Sequence, residues 1–157
     1  KNNLINAYND GSNLDARGSM LAASSMGSIA FQKGLGAIHS LSHPVGAIYN
    51  THHGLTNAVF MPYVLKRNKK VIEEKIISLS RYLNLEDQTF EGFMSWILYL
   101  RKELLIPHTL KDLILDDSKF EEMSKMAKDD PSTGGNPIPL EIKDFYSLYK
   151  DSYSGTL

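Results

Sequence analysis

The sequence predicts an all-α fold. Apolar residues recur at three- and four-residue intervals along most of its 157 residues, the spacing of a helix face. No run alternates apolar and polar residues at the two-residue period of a strand. Hydrophobic residues make up 42% of the chain and charged residues 22%, a mix suited to a single domain, 1–157, with its own core.

Local signals delimit each helix. A first segment ends near Asp10-Gly11-Ser12, and a second runs from Leu14 to Phe31 through Ala, Ser, Gly and Met. Its small residues allow close helix approach. A third starts near Gly34 and carries Leu35, Ile38, Leu41, Val45 and Ile48. Pro44 should kink or end it, because proline lacks the N–H and crowds the preceding turn. A fourth helix follows Gly54 through Val59, Phe60 and Val64, and a fifth spans Val71 to Leu83, with Ile72, Ile76, Leu79 and Leu83 in one stripe. Asp87 is the expected N-cap of the segment through Trp96, Ile97 and Leu104, which Pro107 ends. Shorter helices are expected at 110–115 and 117–127. The stretch from Asp130 to Pro137 reads as a loop, and a last helix covers 140–149 before a frayed tail.

Composition excludes several functions. Lys and Arg number 17 against 18 Asp and Glu, for a net charge of -1. Such a chain has no basic excess for a nucleic-acid backbone. It has no cysteine, which removes disulfides, zinc ribbons, iron–sulfur clusters and thiol catalysis, and fits a cytoplasmic setting. No apolar stretch reaches the roughly 18–20 residues that span a bilayer.

Chemistry concentrates at the histidines. His39, His43, His52 and His53, four of the five, fall within fifteen residues. His39 and His43 are four apart and share a helix face with Gly46 and Asn50, away from Leu41, Val45 and Ile48. Neutral imidazole is the commonest transition-metal ligand. Spacing alone favours His39 with His43 without deciding among the four. No acidic residue stands between Asp15 and Glu73, so any further ligand comes from far along the chain or from outside it. The bland readings hold elsewhere. Phe90, Phe93, Trp96 and Tyr99 read as core, His108 as surface, Lys66 to Lys70 as helix-end cations, and Asp116 to Glu122 as a solvated helix start.

The run Gly34-Leu35-Gly36-Ala37-Ile38-His39-Ser40-Leu41-Ser42-His43-Pro44-Val45-Gly46, followed by His53-Gly54, resembles the signature of the iron-containing (group III) alcohol dehydrogenases. Asn57-Ala58-Val59, Met61-Pro62 and Ser132 to Pro137 extend the resemblance over nearly the whole chain. It implies the multi-helix C-terminal domain of a dehydroquinate synthase-like fold, whose N-terminal Rossmann-like partner binds the dinucleotide. In that family one aspartate and three histidines hold the metal. His39 and His53 match two of these ligands, and the other two belong to an Asp-x-x-x-His element that this chain lacks. His43 matches a histidine beside the metal and nicotinamide, so the resemblance displaces the spacing preference. His52 falls at a variable, non-ligating position. Ala30 and Ser132 match positions lining the substrate pocket.

The resemblance further implies hydride transfer between an alcohol and NAD or NADP with ferrous iron, zinc suiting the same ligands. His43 would relay a proton or orient the nicotinamide. The absent initiator Met and the absent ligands read as a fragment, expected to be inactive alone. The expected partners are a small alcohol or aldehyde, the N-terminal domain and further copies of the chain, with no nucleic acid and no membrane. A non-catalytic helical assembly or metal-binding module is the alternative; a generic adaptor has no reason to carry the signature.

Overall fold

The structure, a computed structural model, describes every residue except Leu115. Among the described residues every regular element is helical. Two compact units make up the chain, Lys1–Gly34 and Leu35–Leu157.

The first unit holds α1, Leu4–Asn9, and α2, Leu14–Ala30. Asn13 caps α2 by accepting from the Ala16 N–H at 3.0 Å, and Asp15 complements the positive end of its dipole. Ala16 is the one buried residue of α2. Leu14, Leu21, Met26 and Ile29 are largely exposed. A 3-10 turn, Phe31–Lys33, closes on Gly34 at φ 100°, a conformation that favours glycine.

The second unit is built from α3, Ala37–Tyr49; α4, His53–Tyr82; α5, Phe90–Glu103; α6, Phe120–Asp129; and α7, Ile142–Ser154. Its main core joins Leu41 and Val45 of α3, Val59, Phe60, Tyr63 and Val64 of α4, Phe120 and Met123 of α6, and Phe145 and Tyr149 of α7. Each side chain of this size contributes roughly 1.5–3 kcal/mol when buried. Tyr149 is fully buried, stacks on Phe120 and donates its hydroxyl to the Leu41 carbonyl at 2.8 Å. Burial pushes its phenol well above the ordinary value. A second cluster gathers Ile76, Leu85, Phe90, Phe93 and Ile97, with Trp96 against it. Phe90, Phe93 and Trp96 are thus core, and Tyr99 is exposed.

Several boundaries differ from expectation. Helix α3 runs through Pro44 to Tyr49. The proline ring is fully buried, and its packing offsets the one backbone hydrogen bond it removes. The helices expected after Gly54 and from Val71 to Leu83 are one helix of 30 residues, with Pro62 buried inside it. The basic run at 66–70 therefore lies in mid-helix. There Arg67 pairs with Asp144, and Lys69 with Glu73 and Glu91. Thr89 rather than Asp87 caps α5, accepting from Gly92 N–H at 3.0 Å, while Asp87 accepts from the Thr89 N–H and hydroxyl. The helix expected at 110–115 is a 3-10 turn, Leu110–Asp112; Leu115 lies outside the described residues. The stretch read as a loop contains a 3-10 turn, Pro131–Gly135. Helix α7 continues past Tyr149 and ends in a C-cap at Gly155, φ 79°, so the tail is ordered as far as that cap.

Candidate metal centre

Helices α3 and α4 build the site. Asn50 adopts the left-handed conformation, φ 52°, and ends α3. His52 starts α4 three residues after Tyr49, its Nδ1 accepting from the Leu55 N–H at 3.2 Å. Buried Thr56 ties the corner through the Thr51 hydroxyl and the His52 carbonyl. So short a connection sets the first turn of α4 beside the histidine face of α3.

His39, His43 and His53 come together. Ring centroids lie 5.2 Å apart for His39 and His53, 5.3 Å for His43 and His53, and 5.9 Å for His39 and His43. His52 does not join them, since its ring caps α4. His108 is exposed in a separate loop. The Nε2 atoms of His39 and His53 converge on one group, the carboxamide nitrogen of Asn57, at 3.3 and 3.0 Å. The Asn57 oxygen is buried without a partner. Among the described residues no group of three or more His, Cys, Asp or Glu is arranged to hold a metal. Two imidazole nitrogens aimed at one small group nevertheless fit half of a tetrahedral shell, or a third of an octahedral one, of nitrogen and oxygen donors.

His43 has a different partner. Its Nδ1 lies 2.7 Å from Oδ2 of Asp130, whose side chain is 12% exposed. An Nδ1–H donated to that carboxylate makes Nε2 the acceptor of the ring. Asp130 in turn caps the 3-10 turn by accepting from the Ser132 N–H at 2.8 Å. Burial raises the Asp130 carboxyl, but hydrogen bonds from His43 and Ser132 outweigh it and hold the group below its ordinary value. Burial, then repulsion from His53 and His43, lowers His39 below the ordinary imidazole value of 6.5. The shift favours the neutral imidazole, the form able to bind a metal.

Ser132 reaches the cluster through Asp130. Ala30, the last residue of α2, belongs to the first unit and is described with it.

A welded loop positions these groups. Asn136 and Asn68 exchange amide hydrogen bonds at 2.9 and 3.0 Å. Asn136 also accepts from the Ala37 N–H at the start of α3 and donates to the Ile138 carbonyl. The Thr133 hydroxyl donates to the Ala127 carbonyl at 2.6 Å and lies 2.8 Å from Ser40 Oγ. One polar seam thus fixes α3, α4 and the 130–136 turn together.

Sequence reasoning missed Asp130 and the site role of Asn57. Asp130 is 87 residues from His43, beyond any local pattern; its one signal is an acid directly before Pro131 at the head of a turn. Asn57 stands four residues after His53, a spacing that places both on one face of a helix.

The sequence profile of the Fe-containing alcohol dehydrogenase family, C-terminal part, matches residues 1–153. The chain belongs to this family. It is 32% identical over 151 residues to an NADPH-dependent butanol dehydrogenase of Clostridium saccharobutylicum, covering 90% of this chain and 39% of that protein. Lactaldehyde reductase of Escherichia coli K12 is 29% identical over 126 residues, covering 76% of this chain and 33% of that protein. The crystal structure of a 1,3-propanediol oxidoreductase superposes with a TM-score of 0.91 at 30% identity, over 96% of this chain and 41% of that one. The chain therefore spans about a third to two fifths of the length of these family members, and its all-helical second unit carries the signature histidines. No described helix is long and apolar enough to cross a membrane.

Proposed function

We propose that this chain is the metal-binding part of an NAD(P)-dependent alcohol dehydrogenase that interconverts an alcohol with an aldehyde or ketone. The observation that carries the reading is the convergence of His39 and His53 Nε2 on one point beside His43. His39 and His53 are two of the metal ligands. Relatives that act on butanol and lactaldehyde support the substrate class.

Ferrous iron or zinc would supply Lewis-acid polarisation of a substrate oxygen, and the nicotinamide would supply or take the hydride. The residues of this chain do the rest. His43, held through Nδ1 by Asp130, presents Nε2 as the proton acceptor when an alcohol is oxidised and as the returning donor in reduction. Ser132, whose N–H donates to Asp130, would border the substrate pocket; Ala30 is proposed as a substrate-pocket residue on the family resemblance alone. No strand exists among the described residues, and a Rossmann-type dinucleotide site needs a parallel sheet. The Rossmann-type dinucleotide domain would belong to the rest of the intact enzyme, with His43 orienting the nicotinamide, and the 157 residues alone should be inactive. Self-association through the apolar residues of α2 is the oligomer reading.

Zinc titration of the labelled chain tests the ligand assignment. The imidazole nitrogens of His39 and His53 should shift, those of His52 and His108 should not, and His39→Ala or His53→Ala should remove the response. Shifts confined to His52 or His108 would sink the assignment. Activity is tested with the full gene product, by nicotinamide absorbance with a small alcohol after loading with ferrous iron. Loss of turnover in His53→Ala is expected; wild-type turnover in that variant would refute the role.

A further inference from the structure

We infer that Asn57 sets the tautomers of His39 and His53, keeping both Nε2 lone pairs aimed at one point where a shared cation can take them; the inference rests on reading those histidines as ligands. A carboxamide nitrogen donates hydrogen bonds and accepts none. Asn57 Nδ2 lies 3.0 Å from His53 Nε2 and 3.3 Å from His39 Nε2. Its two hydrogens serve one ring each. Both Nε2 atoms are therefore acceptors, and in neutral rings both protons sit on Nδ1. An Nε2 carrying its lone pair is the form that binds a metal.

Residue type decides the rest. His53 and Asn57 stand one turn apart on α4, and His39 meets them from α3. A lysine at 57 would donate to the same rings but repel a cation. A carboxylate would only accept, and would call both protons onto Nε2. Asparagine donates without charge. Its oxygen is left buried and unpartnered, an unfavourable state for a carbonyl. Asn57 is thus a positioning residue for the two rings.

The test reads histidine tautomers directly, by long-range 1H–15N correlation on the metal-free chain at alkaline pH. In the wild type both His39 and His53 should carry the proton on Nδ1. Asn57→Leu removes the donor, and the protons should move toward Nε2, the site preferred by free imidazole. Asn57→Asp has nearly the same shape and only accepts, so it should place both protons on Nε2 even if the leucine variant fails to fold. Wild-type rings protonated on Nε2, or rings that stay protonated on Nδ1 in Asn57→Asp, would overturn the inference. Zinc alone supplies the second arm. In the wild type it should displace the amide and shift both Nε2 resonances, since it takes the same lone pairs. Wild-type rings protonated on Nδ1 that ignore zinc would refute the ligand reading and leave the tautomer result standing.

Discussion

A methyl group on Gly135 would stand 1.9 Å from the Leu35 carbonyl oxygen. Neither backbone can retreat, because Asn136 holds the turn to Ala37 and Asn68. Gly135→Ala should destabilise the fold by roughly 1–3 kcal/mol or more. Gly134→Ala, with nothing within 4 Å of the new carbon, should be nearly neutral in the same urea titration. Asp130→Ala should free the His43 ring and lower kcat of the full gene product by roughly 10- to 100-fold with little change in KM. The titrating groups give a pH signature. His39 is depressed below 6.5, so the unfolded chain takes up its proton first. That stability is complete above 6.5 and is lost as pH falls through the folded value. Asp130, also depressed, contributes fully above 3.8 and loses its share as pH falls through its own lower folded value. Urea midpoints should therefore fall with acid in two steps, and His39→Gln should flatten the first. At this scale the histidines were legible because the ligand types cluster in sequence. Asp130 was not, since its partnership with His43 exists only once α3 and the 130–136 turn meet.

Helix starts illustrate how local chemistry chooses between neighbours. Asp87 and Thr89 both suit an N-cap, and the sequence pattern pointed to Asp87. The chain instead uses Asp87 to brace Thr89, and Thr89 accepts from the first turn of α5. Gly92 makes this possible: a Cβ there would lie 2.2 Å from the Asp87 carbonyl oxygen. Thr89→Ala should cost about 1 kcal/mol, read as a lower melting temperature, whereas Asp87→Ala should cost less. Pro44 misled one boundary for a related reason: it is buried within α3, and packing retained it where the sequence reading expected a kink or an end. The period of the apolar residues identified helices correctly; where one helix ended and another began depended on contacts that a single sequence does not display.

The second unit has two cores with different duties. One joins α3, α4, α6 and α7 beneath the histidines, and the other joins α4 to α5. Phe120→Ala, in the first, should cost roughly 3–5 kcal/mol and disturb the His39 and His53 signals. Phe93→Ala, in the second, should destabilise α5 while leaving those signals in place; a shift at His53 in that variant would contradict the division. The all-α class and the site-bearing segment were visible in the sequence because helical period and ligand clustering are local. Helix α4 belongs to both cores. At 1.5 Å per residue its 30 residues extend about 45 Å, with His53 at one end and Ile76 far along toward the other. Hydrogen exchange should follow that axis, fast at the distal turns and slow where Val59 to Val64 are enclosed. Sequence drift between Ile72 and Phe93 that spares the second core should then leave the histidine geometry preserved, giving this scaffold a variable end that can change its outer contacts while its chemistry stays fixed.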